Sequence, residues 1–245
     1  MAGQYIEPVL FSRLLQSPLI PSLCAVCHAW GAQRVCAECI ARFAPFVLRC
    51  RRCALAVPAD AGLCGACLTD PPPFAAGVAA VDYSAPWDGL ITHFKFHAAL
   101  DLAPPLAALL LAAIKHSAGP HPSLVLPVPL SPQRLRERGY NQAWELARRI
   151  ARALHCPADV NLLLRVRDSP HQLGLPKEKR VANVHGAFAL EPMRQSEVRG
   201  RGVALVDDVM TSGATAAAAT RTLLQAGAAS VQVWVVGRTP RPGDR

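Results

Sequence analysis

The sequence predicts an α/β fold, a parallel sheet with helices on both faces, preceded by a small cysteine-rich module. Three observations carry that prediction. Eight of the nine cysteines lie between Cys24 and Cys67. A stiff Asp70-Pro71-Pro72-Pro73 segment follows them. Beyond it, short apolar runs alternate with helical patterns, as expected of parallel strands buried on both faces. The reading divides the chain into 1–70, the N-terminal segment with the module, and 74–245, the α/β domain.

In the module, the cysteines form four Cys-x-x-Cys pairs: Cys24/Cys27, Cys36/Cys39, Cys50/Cys53 and Cys64/Cys67, with gaps of 8, 10 and 10 residues. Two thiolates three positions apart on a tight knuckle face one tetrahedral zinc, and two knuckles complete a four-thiolate site. Eight thiolates make two such sites, with no position left open for catalysis. Disulfides suit a secreted chain, but the N-terminus has no basic region ahead of an apolar run, and Arg13 interrupts the run it has. So short a stretch buries little core, and metal must stabilise it, by about 10–16 kcal/mol apparent in zinc-finger peptides. Sequential pairing, the first two pairs and then the last two, is the reading adopted; the spacing also allows an interleaved arrangement. His28 is read as a neighbour of Cys27 rather than a ligand. Cys156 closes a helical pattern over 142–155 and reads as a buried small hydrophobe.

Past the prolines, Ala75–Tyr83 reads as a strand, Ala99–Lys115 as a helix, Leu124–Val128 as a short strand and roughly 141–154 as a helix. Val203–Val206 and Val231–Val236 are further apolar strands, joined by an alanine-rich helix near 214–226 that stops at Gly227.

With 51% hydrophobic side chains in 245 residues, the chain can bury a core, which excludes global disorder. Its longest uncharged apolar stretch, Leu102–Ile114, has 13 residues and contains Pro104 and Pro105, against roughly 20 for a membrane span. A cytoplasmic location is expected. The net charge of +9 rests on 22 arginines against 4 lysines, so the partners should be anionic, either phosphorylated small molecules or nucleic acid. No Walker-type Gly-Lys loop and no Ser/His/Asp set is legible, and histidines 93, 97, 116, 121, 155, 171 and 185 lack ligand spacing.

The sharpest motif follows the strand at Val203. Asp207 and Asp208 stand at its carboxyl end, then Thr211, Ser212, Gly213, Ala214 and Thr215 open a helix. That end of a parallel sheet is where ligands bind. The loop offers backbone N–H groups, three hydroxyls and the positive end of a helix dipole, which suits a phosphate monoester. Two acids beside it would repel a bare phosphate. They make sense as acceptors for adjacent hydroxyls of a phosphorylated sugar, with a divalent metal nearby. A simple helix cap explains one hydroxyl and leaves the acids unexplained.

The segment Val206-Asp207-Asp208-Val209-x-Thr211-Ser212-Gly213-Ala214-Thr215 resembles the phosphoribosyl pyrophosphate (PRPP) motif of type I phosphoribosyltransferases. Leu126-Pro-Val-Pro-Leu130, Arg134 through Gln142, and Arg180 through Phe188 are similar to the ComF family, in which a zinc ribbon precedes a phosphoribosyltransferase-type domain. The likeness runs from the first cysteine pair to Thr239. It implies a role in natural competence and the use of incoming DNA. It further implies that Asp207 and Asp208 hold the ribose hydroxyls and Thr211–Thr215 the 5′-phosphate. The loop near Pro129–Arg138 would sit where these folds bind pyrophosphate, and Arg165–Asn183 would be a flap, with Lys177 and Arg180 among its basic residues. Two departures stand out: Ser212 where many relatives have threonine, and Lys95-Phe96-His97-Ala98-Ala99 where relatives often have glycines after the aromatic.

Arg134, Arg136 and Arg138 suit bidentate phosphate contact, although surface arginines are common in this composition. Two functions from different classes follow. One is a DNA-uptake factor with a PRPP or ribose-phosphate site, meeting single-stranded DNA directly or through competence and DNA-processing proteins. The other is a Mg²⁺-dependent phosphoribosyltransferase that displaces pyrophosphate from PRPP.

Overall fold

The computed structural model describes residues 21–58, 61–117, 119–166 and 186–240. Of the expected flap, 167–183, with Lys177 and Arg180, lie outside the described residues. The chain forms two compact units, divided between Pro45 and Phe46. Compactness thus places the second cysteine group, and the Asp70–Pro73 segment, in the unit that carries the sheet.

The first unit holds β1 (Ser22–Leu23) and β2 (Trp30–Gly31), an antiparallel pair, then α1 (Ala37–Phe43). Cys24 and Cys27 lie on the turn between the strands; Cys36 is the residue that begins the helix and Cys39 lies one turn inside it. The second unit starts by repeating that recipe. Cys50 and Cys53 lie on a turn closed by an Arg49–Ala56 bridge, Cys64 begins α2 (Gly65–Thr69), and Cys67 lies within it. In both, the residue after the second cysteine takes a left-handed conformation: His28 at φ 59° and Ala54 at φ 58°.

The rest of the second unit runs β3 (Ala76–Asp82), α3 (Trp87–Phe96), α4 (Ala103–His116), β4 (Leu124–Pro127), α5 (Pro132–Arg138), α6 (Gln142–Ala153), β5 (Leu163–Arg165), β6 (Phe188–Leu190), β7 (Gly202–Met210), α7 (Ala214–Gln225) and β8 (Ser230–Arg238). Four strands form one parallel sheet in the order β3-β8-β7-β4. A single parallel bridge, Val125 to Ala158, extends it beyond β4. β5 and β6 pair antiparallel as a separate hairpin. Among the described residues no helix is long and apolar enough to cross a membrane.

The central strands β7 and β8 are apolar and almost continuously buried, as strands covered on both faces must be. On one face, Val203, Leu205, Val231, Val233 and Val235 pack with Ala216, Ala219 and Leu223 of α7 and with the β5–β6 hairpin. The alanines let α7 approach the sheet closely. The alternate face is covered by α4 and α6, which pack on each other and on the strands. Asn141 starts α6 by accepting from the amides of Ala143 and Trp144 at 2.9 and 3.4 Å, and Leu146 and Ile150 turn inward.

Right-handed crossovers fix what this layering means. The chain leaves β4 through α6 toward the Ala158 edge, but leaves β7 through α7 toward β8 and the opposite edge. The carboxyl ends of β4 and β7 therefore flank the point where the winding reverses, which is where open parallel sheets place ligands.

Candidate functional site

Both acids expected at the end of the Val203 strand lie inside β7, because pairing with β8 continues through Asp207–Val235 to Met210–Arg238. Consecutive positions on a strand leave it on opposite sides, yet at this strand's end the two carboxyls stay close enough for the Asp208 side chain to act on Asp207 by charge and by a hydrogen bond. Asp207 lines a concavity with Met210, Thr211, Ser212, Gly213, Ala214 and Thr215. Asp208, 2% exposed, turns to the α3 side and meets Lys95. Its Oδ1 accepts from Lys95 Nζ at 3.1 Å; its Oδ2 lies 2.9 Å from the same nitrogen as an ion pair and accepts no hydrogen bond among the described residues.

The electrostatics follow from this arrangement. Burial raises the Asp207 carboxyl well above the usual carboxylate range, the charge of Asp208 raises it further, and Lys95 opposes both. Burial works against the charged form of Lys95, but Asp208 and then Asp207 outweigh it and hold its pKa above the ordinary lysine value.

Gly213 starts α7 with φ 80°, a left-handed conformation that favours glycine. No side chain caps the helix at that residue; Ser212 Oγ accepts from the Ala214 amide at a long 3.4 Å. Thr211 and Ser212 are exposed, and Gly213, Ala214 and Thr215 are half-buried.

On the β4 side, Ser131 caps α5 by accepting from the Arg134 amide at 3.3 Å, and Gly139 ends it at φ 81°. Arg134 and Arg138, four residues apart, share a face of that turn; Arg136 is exposed two positions round. Arg138 stacks over Phe96 at 4.9 Å and donates to Gln142 at 2.5 Å. Burial lowers its pKa, and Asp208 is the charge that most opposes the change. Tyr140 donates to the Phe94 carbonyl and Asn141 to that of Val128 at 3.2 Å, tying this loop to α3 and β4.

Sequence reasoning did not assign a role to Lys95 or Arg238. Lys95 belongs to a segment whose resemblance was noted, but its pairing with an acid 113 residues away leaves no local pattern. Arg238 is the one charged residue of a mostly apolar strand, which is the signal that could have marked it.

The sulfurs of Cys24, Cys27, Cys36 and Cys39 lie within 4.8 Å of one another, as do those of Cys50, Cys53, Cys64 and Cys67. These are the sequentially paired groups, and neither includes His28. A tetrahedron with metal–sulfur bonds of about 2.3 Å has edges of about 3.8 Å. The pairs Cys24–Cys39, Cys27–Cys36 and Cys53–Cys64 are 3.9, 3.7 and 3.5 Å apart, so the donor sets fit a metal ion. Burial opposes the Cys24 and Cys50 thiolates, yet surrounding N–H groups pull them down to about 6 and about 7. Burial pushes Cys39 up to about 12. The second group is buried throughout, whereas Cys27 of the first is exposed. Cys156 is half-buried beyond α6 and donates to the Pro122 carbonyl at 3.3 Å.

No family model matches the chain. Individual proteins do. The DNA utilization protein YhgH of Escherichia coli K12 is 35% identical over 227 residues, covering 90% of this chain and 98% of its own. Competence protein F of Haemophilus influenzae is 35% identical over 193 residues, 77% of this chain and 84% of its own. Competence protein ComFC of Bacillus subtilis is 33% identical over 117 residues, 47% and 45%. Among solved structures, glutamine PRPP amidotransferase from B. subtilis aligns at 20% identity and TM-score 0.39, covering 58% of this chain and 30% of that one. TT1426 from Thermus thermophilus aligns at 22% and 0.34, over 58% and 85%. With relatives at this identity matched over nearly their full length, the chain belongs to the ComF family of competence and DNA-utilisation proteins.

Proposed function

We propose that the chain binds a ribose 5-phosphate group, as PRPP or a related ribose phosphate, and serves in competence and the use of incoming DNA. One observation carries the reading: two adjacent acids, one clamped by Lys95, stand at the winding reversal beside a helix start that begins on a glycine, with Ser212 Oγ accepting from the Ala214 amide at a long 3.4 Å. A bare phosphate is repelled by such acids. A ribose phosphate is not, because its two ring hydroxyls donate to Asp207 and Asp208 while its 5′-phosphate accepts from Thr211–Thr215. Arg134 and Arg138 suit the pyrophosphate of PRPP, and Mg²⁺ would enter with that pyrophosphate and offset its charge. The two cysteine groups would hold structural zinc. The relatives' names, with this chain's arginine excess, support single-stranded DNA or DNA-processing proteins as partners. Turnover as a phosphoribosyltransferase needs an acceptor nucleophile that no observation identifies, so binding is the function argued.

Calorimetric titration with PRPP, with and without Mg²⁺, tests the reading together with Asp207→Asn/Asp208→Asn. The double variant keeps volume and removes both charges. Losing two hydrogen bonds to charged acceptors, at about 1.5–3 kcal/mol each, should weaken ribose-phosphate binding on the order of a hundredfold or more. Inorganic phosphate should bind no worse. Tighter sugar-phosphate binding in the double variant would overturn the ribose assignment.

A further inference from the structure

Arg238 is the last residue of β8 and is only 6% exposed. A buried guanidinium must find acceptors for its donors, and this one finds them on three separate segments. Its Nε donates to the Cys53 carbonyl at 2.8 Å. Its Nη1 donates to the carbonyls of Met210, Thr211 and Thr239 at 2.9, 2.5 and 3.0 Å. One side chain thereby joins the second cysteine knuckle to the first peptide groups of the Thr211–Thr215 loop. A trans peptide points its N–H opposite to its C=O. Holding the carbonyls of Met210 and Thr211 therefore turns the amides of Thr211 and Ser212 away from the guanidinium.

The other end of the link depends on the cysteines. Cys53 belongs to the buried group Cys50, Cys53, Cys64 and Cys67, whose sulfurs lie within 4.8 Å of one another, so a metal held there would fix the knuckle that carries the Cys53 peptide. A four-thiolate zinc site carries net negative charge and so favours a guanidinium nearby.

We propose that Arg238 is a positioning residue that couples metal occupancy of the Cys50/Cys53/Cys64/Cys67 site to the conformation, and hence the anion affinity, of the Thr211–Thr215 loop. With metal bound, Cys53 anchors Arg238 and Arg238 anchors the loop. With metal lost, the anchor loosens and the loop amides lose their common direction. Linkage is reciprocal: an anion on the loop should slow metal release from the second site. The anion half rests on the ribose-phosphate reading above; the mechanical half does not.

The test is amide hydrogen exchange on the full-length, zinc-loaded chain, following residues 210–216, with β4 as internal reference. In Arg238→Gln, exchange in 210–216 should quicken about tenfold or more, the scale set by lost hydrogen bonds to a charged donor. Arg238→Lys keeps the charge but not the fork, and should restore only part of the protection. Chelation of zinc from wild type, with loss from the second site read by exchange in 50–67, should quicken the same loop. It should add little in Arg238→Gln, since the two changes break one link. Loop exchange unmoved by both Arg238 substitution and chelation would overturn the coupling. If Arg238→Gln loosens β4 as well, the Lys variant and the chelated wild type decide the matter. Titration of the same samples with inorganic phosphate and ribose 5-phosphate separates the two halves. Loop exchange that responds in a protein binding neither ligand keeps the coupling and removes the anion reading.

Discussion

Lys95 holds Asp208 in place against a large desolvation cost. The carboxylate is 2% exposed and the lysine side chain 27%, so Lys95→Met leaves a buried charge with no cation in contact. Breaking such a pair typically costs about 3–5 kcal/mol, and the partial exposure of Lys95 places the expected loss near the low end. Urea denaturation at neutral pH measures it. The pH dependence follows from direction alone. A lysine whose folded pKa is raised contributes stability fully below its unfolded pKa and loses it as pH rises through the folded value. On the alkaline side, the gap between wild type and Lys95→Met should therefore narrow above the ordinary lysine range. Asp207 gives the second expectation. Its pKa is raised, so ribose-phosphate binding through the ionised acid should weaken on acidification at a higher pH than an ordinary aspartate would allow. Lys95 lowers that pKa, so in Lys95→Met the midpoint should move to still higher pH. Inorganic phosphate, titrated alongside, removes the contribution of the ligand's own ionisation. Wild-type and variant midpoints that coincide would show that Asp207 does not govern binding.

At the scale of elements, the second cysteine knuckle is built onto β3. Arg49 pairs with Asp82 at 2.7 Å, and Arg52 donates to the carbonyls of Phe74 and Ala75 at 3.0 and 3.1 Å. Gly77 donates its amide to the Arg51 carbonyl at 3.0 Å, and a Cβ on Gly77 would lie 2.9 Å from the Arg52 carbonyl oxygen. Gly77→Ala must therefore push the knuckle and strand apart. Overpacking of this kind costs about 1–3 kcal/mol, and thermal denaturation should register it together with faster release of one zinc per chain. This docking was not legible in the sequence, which offered only a proline-rich break after Cys67. The strands β3, β4, β7 and β8, and helices α4, α6 and α7, were legible, because apolar runs and helical periodicity are local signals. α3 and α5 were missed. α5 is short and buries no residue at all, so it leaves no apolar stripe, whereas α3 does carry one, Trp87, Leu90, Ile91 and Phe94, that was not read. The acid pair and hydroxyl loop were found because they are contiguous. Their clamp, Lys95, was not, because it joins them only through the fold.

For the whole molecule, the sequence and the cysteine geometry agree on two four-cysteine groups able to hold a metal ion. Elemental analysis of reduced, freshly purified protein should find two zinc ions per chain; one or none would remove the structural-zinc assignment. The charge of +9 gives the other global expectation. If single-stranded DNA is a direct partner, its affinity should fall with salt, each phosphate contact adding about −0.7 to the log–log slope. Part of the basic surface is already committed, since Glu145 holds both Arg148 and Arg149 at 2.5 and 2.6 Å. The measured slope should thus report fewer contacts than the arginine count suggests. Absence of binding at low salt would route DNA through a protein partner.

The strand order β3-β8-β7-β4 also dictates a timetable for synthesis. The first strand of the sheet to be made has the last one as its neighbour, with Ala76 opposite Gln232. While the ribosome works through the intervening residues, β3 has nothing to pair with, and a pairing so distant in sequence closes slowly. The second cysteine knuckle leaves the ribosome just ahead of β3 and can take up metal at once. By Gly77 and Arg52 it then covers part of an edge that would otherwise invite association with other chains. Nascent chains arrested before Ser230 in zinc-depleted cells should therefore aggregate more than the same chains with zinc, a difference that vanishes once β8 has been made.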